Sequence, residues 1–199
     1  MRLGLARCAA LCLGVSLGVP GQVIQFESNG LKYQTLTKRG VTVMFAHLPV
    51  HVRDFSILQV AVSNGSAGPY VIRPEDFTFQ RGDGAQLQAW RARDVVGLLM
   101  EKGGRGDVIK LVSTYEGALY GIPHMRPTNG YEQRRQAALA EVASTKLKAA
   151  AAASALALVQ TKLATGESTD GAVFFEGKSL GPGRLIVRTN TDTFEFQSE

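Results

Sequence analysis

Cysteine, histidine and tryptophan are scarce in this chain, and the shortage excludes several classes of function. The 199 residues contain two cysteines, three histidines and one tryptophan. Both cysteines, Cys8 and Cys12, fall in an apolar run at the N-terminus, so the rest of the chain can form no disulfide bond, thiol nucleophile or cysteine-ligated metal site. A lipoprotein cysteine follows a small residue, whereas Cys12 follows Leu11, so we expect no lipid anchor there.

Basic clusters and catalytic motifs are also absent from the sequence. The net charge is +5, falls to +3 without Arg2 and Arg7, and comes from no Lys/Arg-rich run, so no nucleic acid partner is predicted. No Gly-x-Ser-x-Gly motif occurs, and the adjacent carboxylates Glu75 and Asp76 follow a proline, where they favour a turn. We therefore predict no enzymatic activity and no cofactor. A hydrolase with an unrecognised site around His124 is the alternative.

The N-terminus predicts export. Arg2 and Arg7 come before an apolar run of about 12 residues, and Pro20 and Gly21 follow it. Basic, apolar and small residues in this order are typical of a secretory signal peptide, here residues 1–21. The run is shorter than the roughly 20 residues of a membrane-spanning helix. The mature chain, 22–199, is therefore expected in the periplasm or outside the cell, with no transmembrane span.

Period-two alternation and turn residues predict short strands along most of the chain. They cover residues 31–37, 41–47, 55–62, 70–72, 76–80, 86–90, 171–175, 184–188 and 193–196. Helical spacing predicts helices at 92–102 and from 131 to 165, the latter with Asn129 as cap, Gly166 as end and a bend at 144–145 left open. The β-branched content of residues 107–120 favours a strand, while their spacing suits a helix capped by Asp107, which is the prediction preferred here.

Strands at both ends of a chain normally pair, because unpaired edges would otherwise stay open. The helices are therefore predicted to be an insertion rather than a second domain. The number of strands suits a sandwich of the immunoglobulin type. We predict a mainly β fold, an immunoglobulin-like antiparallel β-sandwich, forming one domain over 22–199 with a helical insertion at about 92–165.

Three segments carry a family resemblance: LQVAVSNGSAGP at 58–69, RPEDF at 73–77 and ESTDGAVFF at 167–175. They resemble the immunoglobulin-like (telokin-like) domains of uncharacterised secreted bacterial proteins, over roughly residues 40–90 and 163–198. The resemblance implies a secreted β-sandwich and brings no catalytic or binding residues with it. The chain departs from antibody domains because no cysteine pair surrounds Trp90, and the long helical block is expected only in a subgroup.

His47 and His51, with Met44 nearby, suggest a copper or zinc site, because imidazole and thioether groups are ligands for Cu(I). Two histidines four residues apart share a face on a helix, but here Pro49 lies between them at the end of a strand. Asp54 is the nearest carboxylate, which makes the set poor for zinc. A periplasmic metal-binding protein using His47 and His51 is therefore the alternative function.

The predicted long helix carries an apolar stripe with helical spacing, formed by Ala152, Leu156, Val159 and Leu163. Two interpretations are open. The stripe packs inside the chain on Val95/Leu99 and Ile109/Val112, or it binds a protein partner or a membrane surface. With no catalytic pattern present, we predict an exported, non-enzymatic binding or structural module of the bacterial cell envelope that acts on a protein partner there.

Overall fold

The computed structural model describes residues 21–119 and 144–198 and, between them, Gln133, Gln136, Ala137 and Ala140. The predicted signal peptide, apart from Gly21, lies outside the described residues. So do His124, the predicted cap at Asn129 and most of the first half of the predicted long helix.

The described residues form eleven strands and three α-helices, numbered here in chain order. The strands are β1 (Ile24–Ser28), β2 (Leu31–Lys38), β3 (Val41–Val52), β4 (Phe55–Asn64), β5 (Tyr70–Ile72), β6 (Phe77–Arg81), β7 (Gln86–Gln88), β8 (Thr161–Leu163), β9 (Ser168–Glu176), β10 (Gly183–Arg188) and β11 (Thr193–Ser198). The helices are α1 (Ala92–Lys102), α2 (Arg105–Leu119) and α3 (Thr145–Leu156). All nine predicted strands are present, within a few residues at their ends.

Two antiparallel sheets enclose the first of two apolar cores. One has five strands in the order β1-β2-β3-β4-β9, and the other has four in the order β11-β10-β6-β7. Alternating side chains from both sheets fill the space between them, with the rings of Phe45 and Phe196 5.0 Å apart and those of Phe79 and Phe175 6.2 Å apart. The fold is mainly β, as predicted, and the arrangement is consistent with a β-sandwich.

The outer face of the five-stranded sheet carries the helices and the second core. Val95 and Leu99 of α1 are fully buried and share this core with the alanines of α3. Small side chains allow two helices to approach closely. The predicted limits of α1 are correct at both ends. No helix among the described residues is long and apolar enough to cross a bilayer.

The segment after α1 is helical, as predicted, but two details of that prediction were wrong. Asp107 is the third residue of α2 and not its cap, and its carboxylate accepts a hydrogen bond from the backbone N of Gly104 at 2.8 Å. Ile109 is 54% exposed, whereas Leu111 and Tyr115 are buried. Several faces of this helix carry apolar residues, and contact with the sheet decides which of them is covered.

The prediction of one helix from 131 to 165 is wrong at its C-terminal end. α3 starts after Ser144, whose extended backbone breaks the helix where a bend was left open, and it ends at Leu156. The chain then continues extended, with the backbone N of Leu158 donating to Ala172 O at 2.8 Å, and β8 pairs with β5. Apolar residues continue past the helix end because the extended segment is buried too, and spacing alone does not separate these two cases.

The first strand was missed, because the sequence places the first predicted strand at 31–37. All five residues of β1 pair antiparallel with β2. The ring of Phe26 stacks on that of Tyr33, with centroids 5.2 Å apart. Only Ile24 and Phe26 are apolar in this strand, so its pattern is too short to stand out without the partner strand.

Candidate functional site

A groove of about 630 Å³ opens beside the core between the two sheets. Its floor comes from β2, β3 and β4 of the five-stranded sheet. The loop at residues 178–182, between β9 and β10, and Ser198 at the end of β11 form its rim. This volume lies within the range of small-molecule and peptide sites in proteins.

The groove exists because one face of the five-stranded sheet changes from apolar to polar along its strands. On β2 the buried Leu36 is followed on the same face by Gln34 and then Lys32. On β4, Leu58 is buried, and the next residue on the same face towards the groove is Ser56. The second sheet covers the apolar part of this face, and Gln34 Nε2 donates to the backbone O of Gln197 near its boundary, at 2.5 Å. Beyond that boundary the polar part lines the groove.

His47 lies at the boundary between the core and the groove. Its Nε2 and Ser198 Oγ share a hydrogen bond of 2.9 Å in which either atom can donate. The ring meets the rings of Phe45 and Phe79 edge to face, with centroids 5.8 and 6.1 Å away. Burial lowers the pKa of His47 below its usual 6.5, so the imidazole is neutral at pH 7.

His51 lines the same groove because β3 is irregular. His47 stands opposite Leu58 and His51 opposite Ser56, so four steps along β3 match two along β4. The extra residues carry the chain around Pro49 and return His51 to the groove side. Its backbone O accepts a hydrogen bond from Lys110 Nζ at 3.3 Å.

Met44 does not join the two histidines. Its side chain packs against the core under the helices, on the opposite face of β3 from Phe45 and His47. Including Met44 among the metal candidates was therefore wrong. Within residues 21–119 and 144–198, no group of three or more His, Cys, Asp or Glu side chains is placed to hold a metal ion. His47 and His51 alone would supply two ligands, short of the four of a structural zinc site.

Among the described residues, two charged side chains line the groove, Lys32 and Lys178, and both are cationic. Lys32 makes no ion pair with any described residue, and Lys178 makes a long one of 3.8 Å with the exposed Asp54. The residue opposite Lys32 on β1 is Glu27, which does not line the groove. The groove therefore has a positive potential.

A second depression of about 320 Å³ adjoins the groove and shares His51 and Lys178 with it. It adds Arg53, Lys110 and two carboxylates. One of these, Asp107, pairs with Arg53 at 2.9 Å and neutralises it. Lys110 pairs with no described carboxylate, so the positive surface continues from the groove towards α2.

The stripe predicted to bind a partner is not a stripe in the structure. Ala152 and Leu156 are buried in α3, in the core that α3 shares with α1, and Leu163 is buried in β8. Val159, 45% exposed, lies in the extended segment between them. Internal packing of α3 on Val95 and Leu99 of α1, the other interpretation, is what the structure has.

Sequence reasoning missed Lys32, Lys178 and Ser198. None of them belongs to a recognisable motif. Lys32 and Lys178 come together only because β2 and the loop after β9 border the same groove. The unusual His-Leu-Pro-Val-His run was the one signal in the sequence that pointed to this place.

Comparison with known proteins adds little. No protein-family model matches the chain, and no curated protein is significantly similar to it. Among solved structures, the chain is similar to the yjhA protein of Bacillus subtilis, with 7% sequence identity and a TM-score of 0.38. That similarity covers 88% of this chain and 96% of the other. A likeness at this level carries no argument about either fold family or function.

Proposed function

We propose that this protein is an exported, non-enzymatic binding module of the bacterial cell envelope, built on an immunoglobulin-like scaffold, and that it binds a protein partner. The observation that carries the proposal is the groove, which in the described part of the chain is lined by two lysines and no carboxylate. A concave surface with a few placed polar groups is the usual form of a binding site. The N-terminal basic, apolar and small residues support export.

The same groove gives little support to catalysis. His47 and Ser198 lie at hydrogen-bond distance, which a nucleophile and its base require. A third group has to orient the imidazole, and no carboxylate lines the groove among the described residues. The hydroxyl also sits at the core boundary, with Ser198 only 8% exposed. This geometry therefore favours a binding function without catalysis.

Photocrosslinking in native host cells tests the proposal. A benzoylphenylalanine residue replaces Ser179, which is exposed on the groove rim, or Asn190, which is exposed in the turn between β10 and β11 away from the groove. We expect a discrete protein adduct in the envelope fraction from the position of Ser179 and none from that of Asn190. Recovery of the protein in the cytoplasm, or no adduct from either position, would contradict the proposal.

A further inference from the structure

The groove and the adjoining depression form one positive surface with room for an extended ligand. Side chains from β2, β3, β4, α2 and the 178–182 loop border it, and His51 and Lys178 belong to both parts. A single small anion would need one cluster of donors. Here the cations Lys32 and Lys110 belong to different ends of the surface, with His51 and Lys178 between them.

We propose that this surface binds an acidic, extended peptide segment of a partner protein, with carboxylates beside Lys32 and Lys178. The proposal rests on the binding function above and names the chemistry of its partner. Charge complementarity carries the argument. Among the described residues, both charged side chains that line the groove are cationic, and the two carboxylates of the depression, Asp54 and Asp107, are paired with Lys178 and Arg53.

The alternation of side chains in an extended peptide suits this arrangement. Acidic residues at every second position face the same side, where they can meet Lys32 on β2 and Lys178 on the rim loop. His47 adds a neutral imidazole, which can donate or accept a hydrogen bond without adding charge.

The negative charge of Glu27 weighs against an acidic ligand, and substituting this residue tests the proposal. It stands opposite Lys32 in the β1–β2 register, on the same side of the sheet, yet forms no ion pair with it. Its negative charge opposes an acidic ligand without contacting the groove. Replacing Glu27 by Gln should therefore strengthen binding of an acidic peptide, whereas a role confined to fold stability would leave binding unchanged.

The experiment measures fluorescence anisotropy of two labelled hexapeptides with the full chain. One alternates Glu and Val, and the other alternates Gln and Val. We expect the Glu peptide to bind more tightly than the Gln peptide, with an affinity that falls as salt rises. The double variant Lys32→Gln/Lys178→Gln should lose about tenfold in affinity. Lys162→Gln removes one positive charge from exposed β8, outside the groove, and should leave the affinity unchanged.

Both groove lysines are exposed, so these variants should keep the urea midpoint of the wild type, which is checked first. Equal binding of the two peptides, or an unchanged affinity in the double variant, would overturn the proposal. Displacement of the Glu peptide by micromolar inorganic phosphate would identify a small-anion site and would also overturn it. A crosslinked adduct at Ser179 together with equal binding of the Glu and Gln peptides would support the binding function but contradict the acidic-peptide proposal.

Discussion

Substituting Gly171 tests the part of the fold that sequence reasoning got wrong. Gly171 lies in β9 where the extended segment after α3 crosses the strand. A Cβ atom at this position would lie 2.5 Å from Leu158 Cα and 2.6 Å from Leu158 N. Both contacts are far inside van der Waals distance, and both are with backbone that cannot rotate away.

The cost of Gly171→Ala follows from that geometry. Overpacking a filled site costs about 1–3 kcal/mol. The upper end applies here, because relief would require moving Leu158, whose N–H donates to Ala172 O at 2.8 Å. Replacing glycine by alanine recovers at most about 1 kcal/mol of unfolded-state entropy. We therefore expect a net loss of about 2 kcal/mol in the free energy of unfolding.

Urea denaturation followed by circular dichroism measures the loss. With a slope of about 2 kcal/mol per molar urea, the midpoint should fall by about 1 M. Gly97→Ala is the matched control: Gly97 is exposed in α1, with nothing within 4 Å of an added Cβ. The same chemical change should there raise stability by about 1 kcal/mol, because alanine is the better helix former.

The outcome separates two structures. If the chain continued as one helix to residue 165, nothing would cross β9 at Gly171, and both substitutions would be neutral or stabilising. A Gly171→Ala protein within about 0.5 kcal/mol of the wild type would therefore refute the crossing and restore the continuous helix. A loss at Gly171 together with a gain at Gly97 supports the structure described here.

The other predictions concern the helical core and the two histidines. Leu99→Ala should lower the free energy of unfolding in urea by about 2–5 kcal/mol, because Leu99 is fully buried. Met100→Ala, at the half-exposed neighbouring position, should lower it by less than about 1 kcal/mol. Similar losses at both positions would contradict the placement of α1. Burial lowers the pKa of His47, so the unfolded chain binds more protons just below pH 6.5 and stability should fall as pH drops from 6.5 towards 5. His47→Gln should flatten that part of the pH profile, and an unchanged slope would show that other groups cause it. Calorimetry with Cu(I), Cu(II) and Zn(II) should detect no binding tighter than about micromolar, since His47 and His51 have no third ligand among the described residues; nanomolar affinity would revive the metal site.

The β-sheets were predictable because their signals are local. Alternation in 55–62 and the turn formers at 63–69 define β4 and its end without knowledge of the partner strands. The limits of α1 were predictable for the same reason, since Gly103 and Gly104 end a clear helical period. β1 was not, because two apolar residues make too short a pattern.

The candidate site was predictable only at His47 and His51. Their unusual spacing around Pro49 pointed to the place, but the chemistry inferred from it, a metal site with Met44, depended on which face of β3 each side chain occupies. Lys32 and Lys178 lie far apart in the chain, and no residue near either one indicates the other. Residues that meet through strand pairing leave no local trace in one sequence.

The sequence by itself determined the class of fold and the position of most strands, because these depend on composition and on periods of two or four residues. Tertiary structure alone decided where α3 ends and which polar residues share the groove. In both cases the deciding contact joins distant segments: Leu158 fits against Gly171 because glycine has no side chain, and Lys32 lines the same groove as Lys178 because β2 lies near the loop after β9.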